Sequence, residues 1–288
     1  MASRGKKILI RTGVGTSLAV VLAWIVSMAY SSIDGFSVWL PGAIFSVGCV
    51  YEVATMQRAV PKALRLALAV GLITGLAPGL VHYFGEQLSL SNPYPYLTRF
   101  GILGTYLAAA LAFLVFAMLS KAGRSRIALC LGISLWVFAP MTSLAFIWSD
   151  YGAHGLVALL VLSKIGDIFG YYVGSAIGKT HPFPNTSPGK TTAGCVASLV
   201  VGIIAGGLFA YFEMLPNGAL GIVAGLLGGA LVNIAAQAGD LFESRIKRMA
   251  QVKDSGNWFG PSGGVLDLAD SLLFSVPMAL VTWPLLFA

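Results

Sequence analysis

The chain has 288 residues, of which 57% are hydrophobic and 10% are charged, and its formal net charge is +7. A soluble globular domain carries about 25% charged residues, so this composition excludes a protein whose main solvent is water.

Apolar runs long enough to cross a bilayer recur along the whole chain. A hydrocarbon core about 30 Å thick needs roughly 20 predominantly apolar residues per helix. Strands of a membrane barrel would instead alternate apolar with polar residues. The sequence therefore predicts an all-α polytopic membrane protein with about nine transmembrane helices, at residues 12–31, 37–55, 64–83, 99–119, 126–148, 153–175, 194–214, 217–239 and 264–287.

The basic residues fall almost entirely in the N-terminal segment and in every second loop. Loops with excess Lys and Arg stay on the cytoplasmic side of a membrane. This pattern predicts a cytoplasmic N-terminus and, with nine helices, a C-terminus on the outer side.

Polarity divides the chain into two parts. Residues 1–150 carry almost nothing polar inside their predicted helices apart from Glu52, whereas residues 151–288 contain the remaining acids at membrane depth. Ionisable groups inside a membrane are costly and usually mark a functional site. We therefore expect N-terminal membrane helices in 1–150 and C-terminal membrane helices with a cytoplasmic-side catalytic site in 151–288.

The sixth predicted helix carries Lys164, Asp167 and Tyr171 at spacings i, i+3 and i+7, which places them on or near one face. They form a polar stripe, or Lys164 and Asp167 neutralise each other within the bundle. Glycines recur every fourth residue beside them and predict a close helix contact; they are Gly170, Gly174 and Gly178.

The loop that follows this helix, residues 182–194, combines prolines, hydroxyl groups and a lysine. Ser187, Lys190 and Thr191 offer the charge and the hydrogen-bond donors that a phosphate group requires. The same composition also occurs in ordinary loops, so the segment alone does not decide between these interpretations.

The densest polar stretch begins at Gln237 and ends at Ser271. Gln237, Asp240 and Ser244 share one helix face, and Asp267 and Asp270 share another. Paired carboxylates beside a cluster of Lys and Arg suit a Mg²⁺-bound triphosphate, because Mg²⁺ prefers hard oxygen ligands. The alternative is a set of acids and bases that pair at a helix end for stability.

The run from Ser244 to Asp270 resembles the signature of the phosphatidate cytidylyltransferase (CDP-diacylglycerol synthase) family. The residues in register with it are Ser244, Lys247, Arg248, Lys253, Asp254, Gly256, Phe259, Gly260, Gly263, Gly264, Val265, Asp267 and Asp270. The earlier loop is similar to a second family element through Ser187, Pro188, Lys190, Thr191 and Gly194. Four positions depart from the family pattern, namely Ser262 (His in the family), Leu268 (Arg), Ala269 (a larger apolar residue) and Ala193 (Glu).

The resemblance implies an enzyme that transfers the cytidylyl group of CTP to phosphatidate and releases pyrophosphate. It implies that Asp240, Asp267 and Asp270 bind a divalent metal, expected to be Mg²⁺. The catalytic residues implied are Lys253, Asp254 and Asp267. The substrate-binding residues implied are Asp167, Ser187, Lys190, Thr191, Ser244, Lys247 and Arg248.

The expected partners are CTP, phosphatidate or a similar lipid phosphate, and the lipids of a bacterial-type inner membrane, with no nucleic acid. A homodimer is compatible with the sequence. Two other enzymes, a CDP-archaeol synthase and a polyprenol kinase, use CTP on isoprenoid lipids and stay open alternatives. A transporter and a non-catalytic membrane paralogue are also open alternatives. Transporters often show inverted repeats with polar breaks in both halves, whereas polarity here is confined to one half.

Overall fold

The computed structural model describes residues 36–57, 65–73, 124–216, 218–260 and 263–287, together with Ser27 and Tyr30. Within these ranges there is no strand, which confirms the all-α prediction. The helices are α1 (Phe36–Met56), α2 (Arg124–Ile177), α3 (Thr192–Tyr211), α4 (Ile222–Met249), α5 (Val265–Ala269) and α6 (Leu272–Leu286).

Five segments of the described chain are long and apolar enough to cross a membrane, so the protein is an integral membrane protein. They are Ser37–Met56, Ile127–Ile177, Thr192–Tyr211, Ile222–Met249 and Val265–Leu286. The predicted helices at 12–31 and 99–119 lie outside the described residues, apart from Ser27 and Tyr30. The count of nine and the orientation of the termini stay predictions.

Helix α2 is broken once, at Gly152, where the backbone leaves helical geometry with φ 64° and ψ −169°. Residues with a side chain are strained in this region of φ/ψ space, so a glycine is required here. The break lies between the two predicted helices 126–148 and 153–175.

The chain groups into two compact units. The first contains residues 1–145 and 252–269, and the second contains residues 146–251 and 270–288. The predicted division at residue 150 was drawn on the distribution of polar residues, and it stays a prediction.

In the first unit, α1 packs against the short helix α5. Gly48 provides the contact, because a Cβ atom there would lie 3.1 Å from a methyl group of Val265. The fully buried side chains of Ile133, Phe138 and Met141 contribute to the apolar core of this unit.

In the second unit, α4 packs against both α3 and α6. The α3–α4 contact is made by four glycines, because a Cβ at Gly206 would overlap the carbonyl oxygen of Gly225 and one at Gly229 would overlap that of Gly202. Lipid tails are as apolar as the helices, so close packing of small residues drives helix association in a membrane. The α4–α6 contact places Trp283 over Gly228.

Candidate functional site

The loop before α3 is held in a defined conformation by its own hydrogen bonds. The amide of Lys190 donates to the carbonyl of Ser187 at 3.1 Å, and the amide of Ser187 donates to that of Phe183 at 2.9 Å. Thr191 caps α3, because its hydroxyl oxygen accepts from the amide of Gly194 at 3.1 Å. The predicted phosphate-binding residues therefore lie at a helix N-terminus, where free amides and the helix dipole favour an anion.

An ion pair connects this loop to α4. Lys190 Nζ lies 2.6 Å from Asp240 Oδ2, and both side chains are largely buried. Arg248 donates from Nε to the carbonyl oxygen of Thr186 at 3.3 Å, a second connection between the same segments. The structure thus brings together two motifs that the sequence separates by about fifty positions.

Three carboxylates gather in the second unit. Asp240, Glu243 and Asp270 each offer an oxygen atom, and these oxygens lie within 4.8 Å of one another. Glu243 is fully buried and pairs with Lys247 Nζ at 2.6 Å, while Asp270 pairs with Lys164 Nζ at 2.8 Å. Hard oxygen donors at this spacing suit a divalent cation such as Mg²⁺, so the cluster can hold a metal ion.

This cluster matches the predicted metal residues in part. Asp240 and Asp270 belong to it, and Glu243 is a member that the sequence prediction missed. The available signal was its position three residues after Asp240, on the same side of α4. Ser244 also lies where predicted, with its hydroxyl 3.5 Å from Asp240 Oδ1. Asp267 belongs to the first unit.

A cavity of about 410 Å³ lies beside the Lys190–Asp240 pair. Its polar lining includes Asp167, Thr191 and Gln237 in addition to that pair. The volume lies within the range of about 300–1,000 Å³ that is usual for small-molecule sites. A ligand in this cavity would contact both a cation and carboxylates.

Glycines of α2 form one wall of the cavity; they are Gly166, Gly170, Gly174 and Gly178. A Cβ at Gly174 would lie 2.7 Å from the hydroxyl oxygen of Thr191, and one at Gly170 would lie 3.0 Å from the carbonyl oxygen of Gly194. The glycine spacing therefore allows the close approach of α2 to the start of α3, as predicted, and it leaves backbone exposed to the cavity.

The Gln237 side chain is held in one orientation at this cavity. Its Nε2 atom donates to Asn233 Oδ1 at 2.8 Å and to the carbonyl oxygen of Cys195 at 3.4 Å. Asn233 is buried and also accepts from the hydroxyl of Ser198 at 3.2 Å. Because both amide hydrogens of Gln237 are used, its remaining polar atom is an acceptor, Oε1.

In the first unit, the residues predicted to act in catalysis lie on the loop 252–260 and on α5. Lys253 and Asp254 are exposed. Asp267 Oδ2 accepts from the amide and the hydroxyl of Ser255 at 2.9 and 2.8 Å, and from the amide of Gly264 at 2.7 Å. These bonds fix the direction in which the Asp267 carboxylate faces.

Glu52 of α1 accepts hydrogen bonds in the same region of the first unit. Its oxygens accept from the amides of Val265 and Leu266 at 2.8 and 3.0 Å. Glu52 Oε2 also lies 2.7 Å from the Ser255 hydroxyl, whose single hydrogen is shared between Glu52 and Asp267. The sequence marked Glu52 as an acid at membrane depth, where a functional site is expected, but gave it no specific role. Its one signal was an acid within an otherwise apolar helix.

The four departures from the family pattern fall in different surroundings. Ser262 lies outside the described residues. Leu268 and Ala193 are half-buried, and Ala269 is buried.

Sequence similarity to a known protein family extends over nearly the whole chain. The sequence profile of the cytidylyltransferase family matches residues 10–286. Phosphatidate cytidylyltransferase of Helicobacter pylori is 37% identical over 128 residues, which cover 44% of this chain and 46% of the relative. The protein of the same name from Aquifex aeolicus is 42% identical over 114 residues, 40% of this chain and 41% of the relative.

These two alignments span less than half the length of the relatives. A third relative, the phosphatidate cytidylyltransferase of Chlamydia trachomatis, is 28% identical over 258 residues, which cover 74% of this chain and 82% of the relative.

Proposed function

This chain belongs to the cytidylyltransferase family, and we propose that it is a phosphatidate cytidylyltransferase, a membrane enzyme that makes CDP-diacylglycerol from CTP and phosphatidate. Three relatives carry that name. An oxygen of the lipid phosphate attacks the α-phosphorus of CTP. The new phosphorus–oxygen bond joins lipid to cytidylate, and the bond to the β-phosphate breaks, so pyrophosphate leaves with its electron pair.

The observation that carries the proposal is the position of Lys190. Its ammonium group pairs with Asp240 at 2.6 Å and borders a cavity of about 410 Å³. Transfer of a phosphoryl-type group depends mainly on positioning and on stabilisation of charge. A lysine from the Ser-Pro-Gly-Lys loop that contacts an acid of α4 supplies both.

The carboxylates of Asp240, Glu243 and Asp270 would hold the divalent metal, which we propose to be Mg²⁺. Their oxygens form a hard donor set within 4.8 Å, and lysines flank it. When bound, the metal would neutralise phosphate charge. The family resemblance adds Asp267 as a further metal-binding or catalytic residue.

The remaining site residues have roles that follow from their chemistry. Lys190, Lys247 and Arg248 would bind phosphate groups, because their charge-assisted hydrogen bonds are stronger than neutral ones. Hydroxyl and carboxylate groups on the same segments complete the predicted substrate contacts; they belong to Asp167, Ser187, Thr191 and Ser244. Lys253 and Asp254 keep the catalytic roles that the motif implies.

We further propose that the enzyme lies in a bacterial inner membrane with these residues on the cytoplasmic side. The N-terminal segment and every second predicted loop are basic, and cytoplasmic loops are rich in Lys and Arg. Its relatives are bacterial. CTP would then enter from the cytosol, and phosphatidate would enter laterally from the bilayer.

Purified protein with labelled CTP, Mg²⁺ and phosphatidate in mixed micelles tests the proposal. We expect release of pyrophosphate and formation of labelled lipid, both dependent on phosphatidate and on Mg²⁺. Release of CDP with a polyprenol would indicate a kinase, and transfer to an archaeal ether-lipid phosphate in preference to phosphatidate would indicate a CDP-archaeol synthase. Either outcome, or no turnover of CTP, would contradict the proposal.

A further inference from the structure

We propose that Glu52 is a positioning residue, which holds the described loop residues 252–260, 263 and 264 and the start of α5 in the conformation that the reaction requires. The inference rests on the proposed function, because the loop carries Lys253 and Asp254 and α5 carries Asp267. Glu52 lies far from these residues in sequence but within the same compact unit.

Glu52 is buried among hydrogen-bond donors. Its side chain is 2% exposed, and three donors surround its carboxylate, namely the Ser255 hydroxyl and the amides of Val265 and Leu266. An ionised carboxylate is purely an acceptor with several lone pairs. Backbone amides at the start of a helix have no partner within that helix, so an acceptor from another segment must satisfy them when they are buried. Glu52 therefore completes the beginning of α5.

The glycines of this motif fit the Glu52 carboxylate. A Cβ atom at Gly256 or at Gly264 would overlap an oxygen of Glu52. Gly263 has φ 86°, and a Cβ there would overlap Asp267 Oδ2. Two of these glycines thus leave the space that Glu52 occupies, and one leaves space for Asp267. The loop therefore packs against the Glu52 side chain of α1 with no space for a Cβ atom at Gly256 or Gly264.

Ser255 connects Glu52 to the residues that the motif assigns to catalysis. Its hydroxyl lies 2.7 Å from Glu52 Oε2 and 2.8 Å from Asp267 Oδ2, and its amide donates to Asp267 at 2.9 Å. Ser255 also follows Asp254 directly in the chain. Movement of Glu52 would therefore shift both the loop and the carboxylate of Asp267, which makes Glu52 a residue that acts through others.

The test compares Glu52→Gln with Glu213→Gln, which removes the same charge from an exposed position of the second unit. The side-chain amide of glutamine replaces one carboxylate oxygen with an NH₂ group, which cannot accept a hydrogen bond. At least one of the three donors around position 52 therefore loses its acceptor. We expect kcat to fall about 10- to 100-fold, the range known for residues that orient the groups doing the chemistry. The KM for CTP should stay within twofold, and the control should match the wild type.

Hydrogen exchange in the protein without substrates gives a second measurement that does not depend on activity. In Glu52→Gln, the amides of Ser255, Val265 and Leu266 should exchange at least tenfold faster, while those of α3 keep their wild-type rates. A purely structural role predicts instead a lowered unfolding temperature, faster exchange in both units and an unchanged kcat for the fraction that stays folded.

Gly264→Ala supplies a second perturbation of the same contact, because its Cβ would displace the Glu52 carboxylate and the Ser255 hydroxyl without removing either. If Glu52 acts through this contact, the double variant with Glu52→Gln should lose little more than either single variant. Multiplicative losses would indicate independent roles.

Ser255→Ala serves if Glu52→Gln fails to fold. This variant keeps both hydrogen bonds from backbone amides to Glu52, and we expect a smaller fall in kcat than for Glu52→Gln.

The outcomes separate this inference from the proposed function. A wild type that does not turn over CTP with phosphatidate contradicts the function, and exchange in the loop then still measures whether Glu52 holds it. An active wild type whose Glu52→Gln and Ser255→Ala variants both retain kcat within twofold overturns the role of Glu52.

Discussion

Replacement of Asp267 by Asn separates a catalytic or metal-binding carboxylate from one that merely fixes a loop. Oδ2 of Asp267 accepts three hydrogen bonds of 2.7–2.9 Å from Ser255 and Gly264. Asparagine has the same shape and can accept all three through its carbonyl oxygen. Each bond then changes from charge-assisted, worth about 1.5–3 kcal/mol, to neutral, worth about 0.5–1.5 kcal/mol. At about 1–1.5 kcal/mol per bond, the expected loss in the free energy of unfolding is about 3–4.5 kcal/mol for the three bonds together.

The variant should lose activity while it keeps its fold. If the Asp267 charge stabilises the transition state through metal or phosphate, its removal should lower kcat by at least about 10²-fold, while the variant stays folded in detergent. Pyrophosphate release measured across a series of Mg²⁺ concentrations, with unfolding followed in parallel, provides the comparison. Asp150→Asn is the matched control for loss of one charge. Normal turnover of Asp267→Asn at limiting Mg²⁺ would refute the assignment.

Three further predictions address the loop, the topology and the departures from the family. Lys190→Gln removes the ion pair with Asp240 and should raise the KM for CTP about 10- to 100-fold, the equivalent of one charge-assisted bond; an unchanged KM would exclude a phosphate contact. A reporter active only in the cytoplasm, fused to Ala288, should give no signal, and a strong signal would overturn the count of nine helices. Restoring Ser262→His with Leu268→Arg should raise cytidylyl transfer to phosphatidate, and a folded double variant with unchanged or lower activity would indicate another substrate.

Hydrophobicity was sufficient to predict the kind of fold. Continuous apolar runs led directly to helices, and most of the described spans from residue 124 onward agree with the predicted ones within a few residues. The exception is α4, predicted at 217–239, which begins at Ile222 and extends to Met249. The break between two of these spans lies at Gly152, as the apolar pattern indicated. Hydrophobicity does not predict which helices pack together, because all of them are apolar. Residues 252–269 group with the first unit, which no periodicity reveals.

The site was predicted less completely than the fold. Spacing on one helix correctly placed Asp240 and Ser244 together, because residues four apart share a face. The pairing of Lys164 with Asp270, 106 positions away, could not be read from local spacing, which offered Asp167 three residues later. Glu243 was missed for a related reason. Its four-residue spacing to Lys247 is typical of an ordinary surface pair, and only the packing of the helices shows that it is fully buried.

The glycine contact between α3 and α4 determines which changes this part of the protein tolerates. At Gly206 and Gly229 the space for a side chain is already filled by the backbone of the facing helix, and glycine loses no rotamer freedom on packing. In a saturation mutagenesis scan, fitness at these positions should therefore follow side-chain volume and be nearly independent of polarity. Alanine and serine would both be harmful, to about the same degree, and leucine would be as harmful as lysine. Scales of membrane insertion, which rank leucine and lysine at opposite ends, would fail at these positions while still applying to the lipid-facing residues beside them.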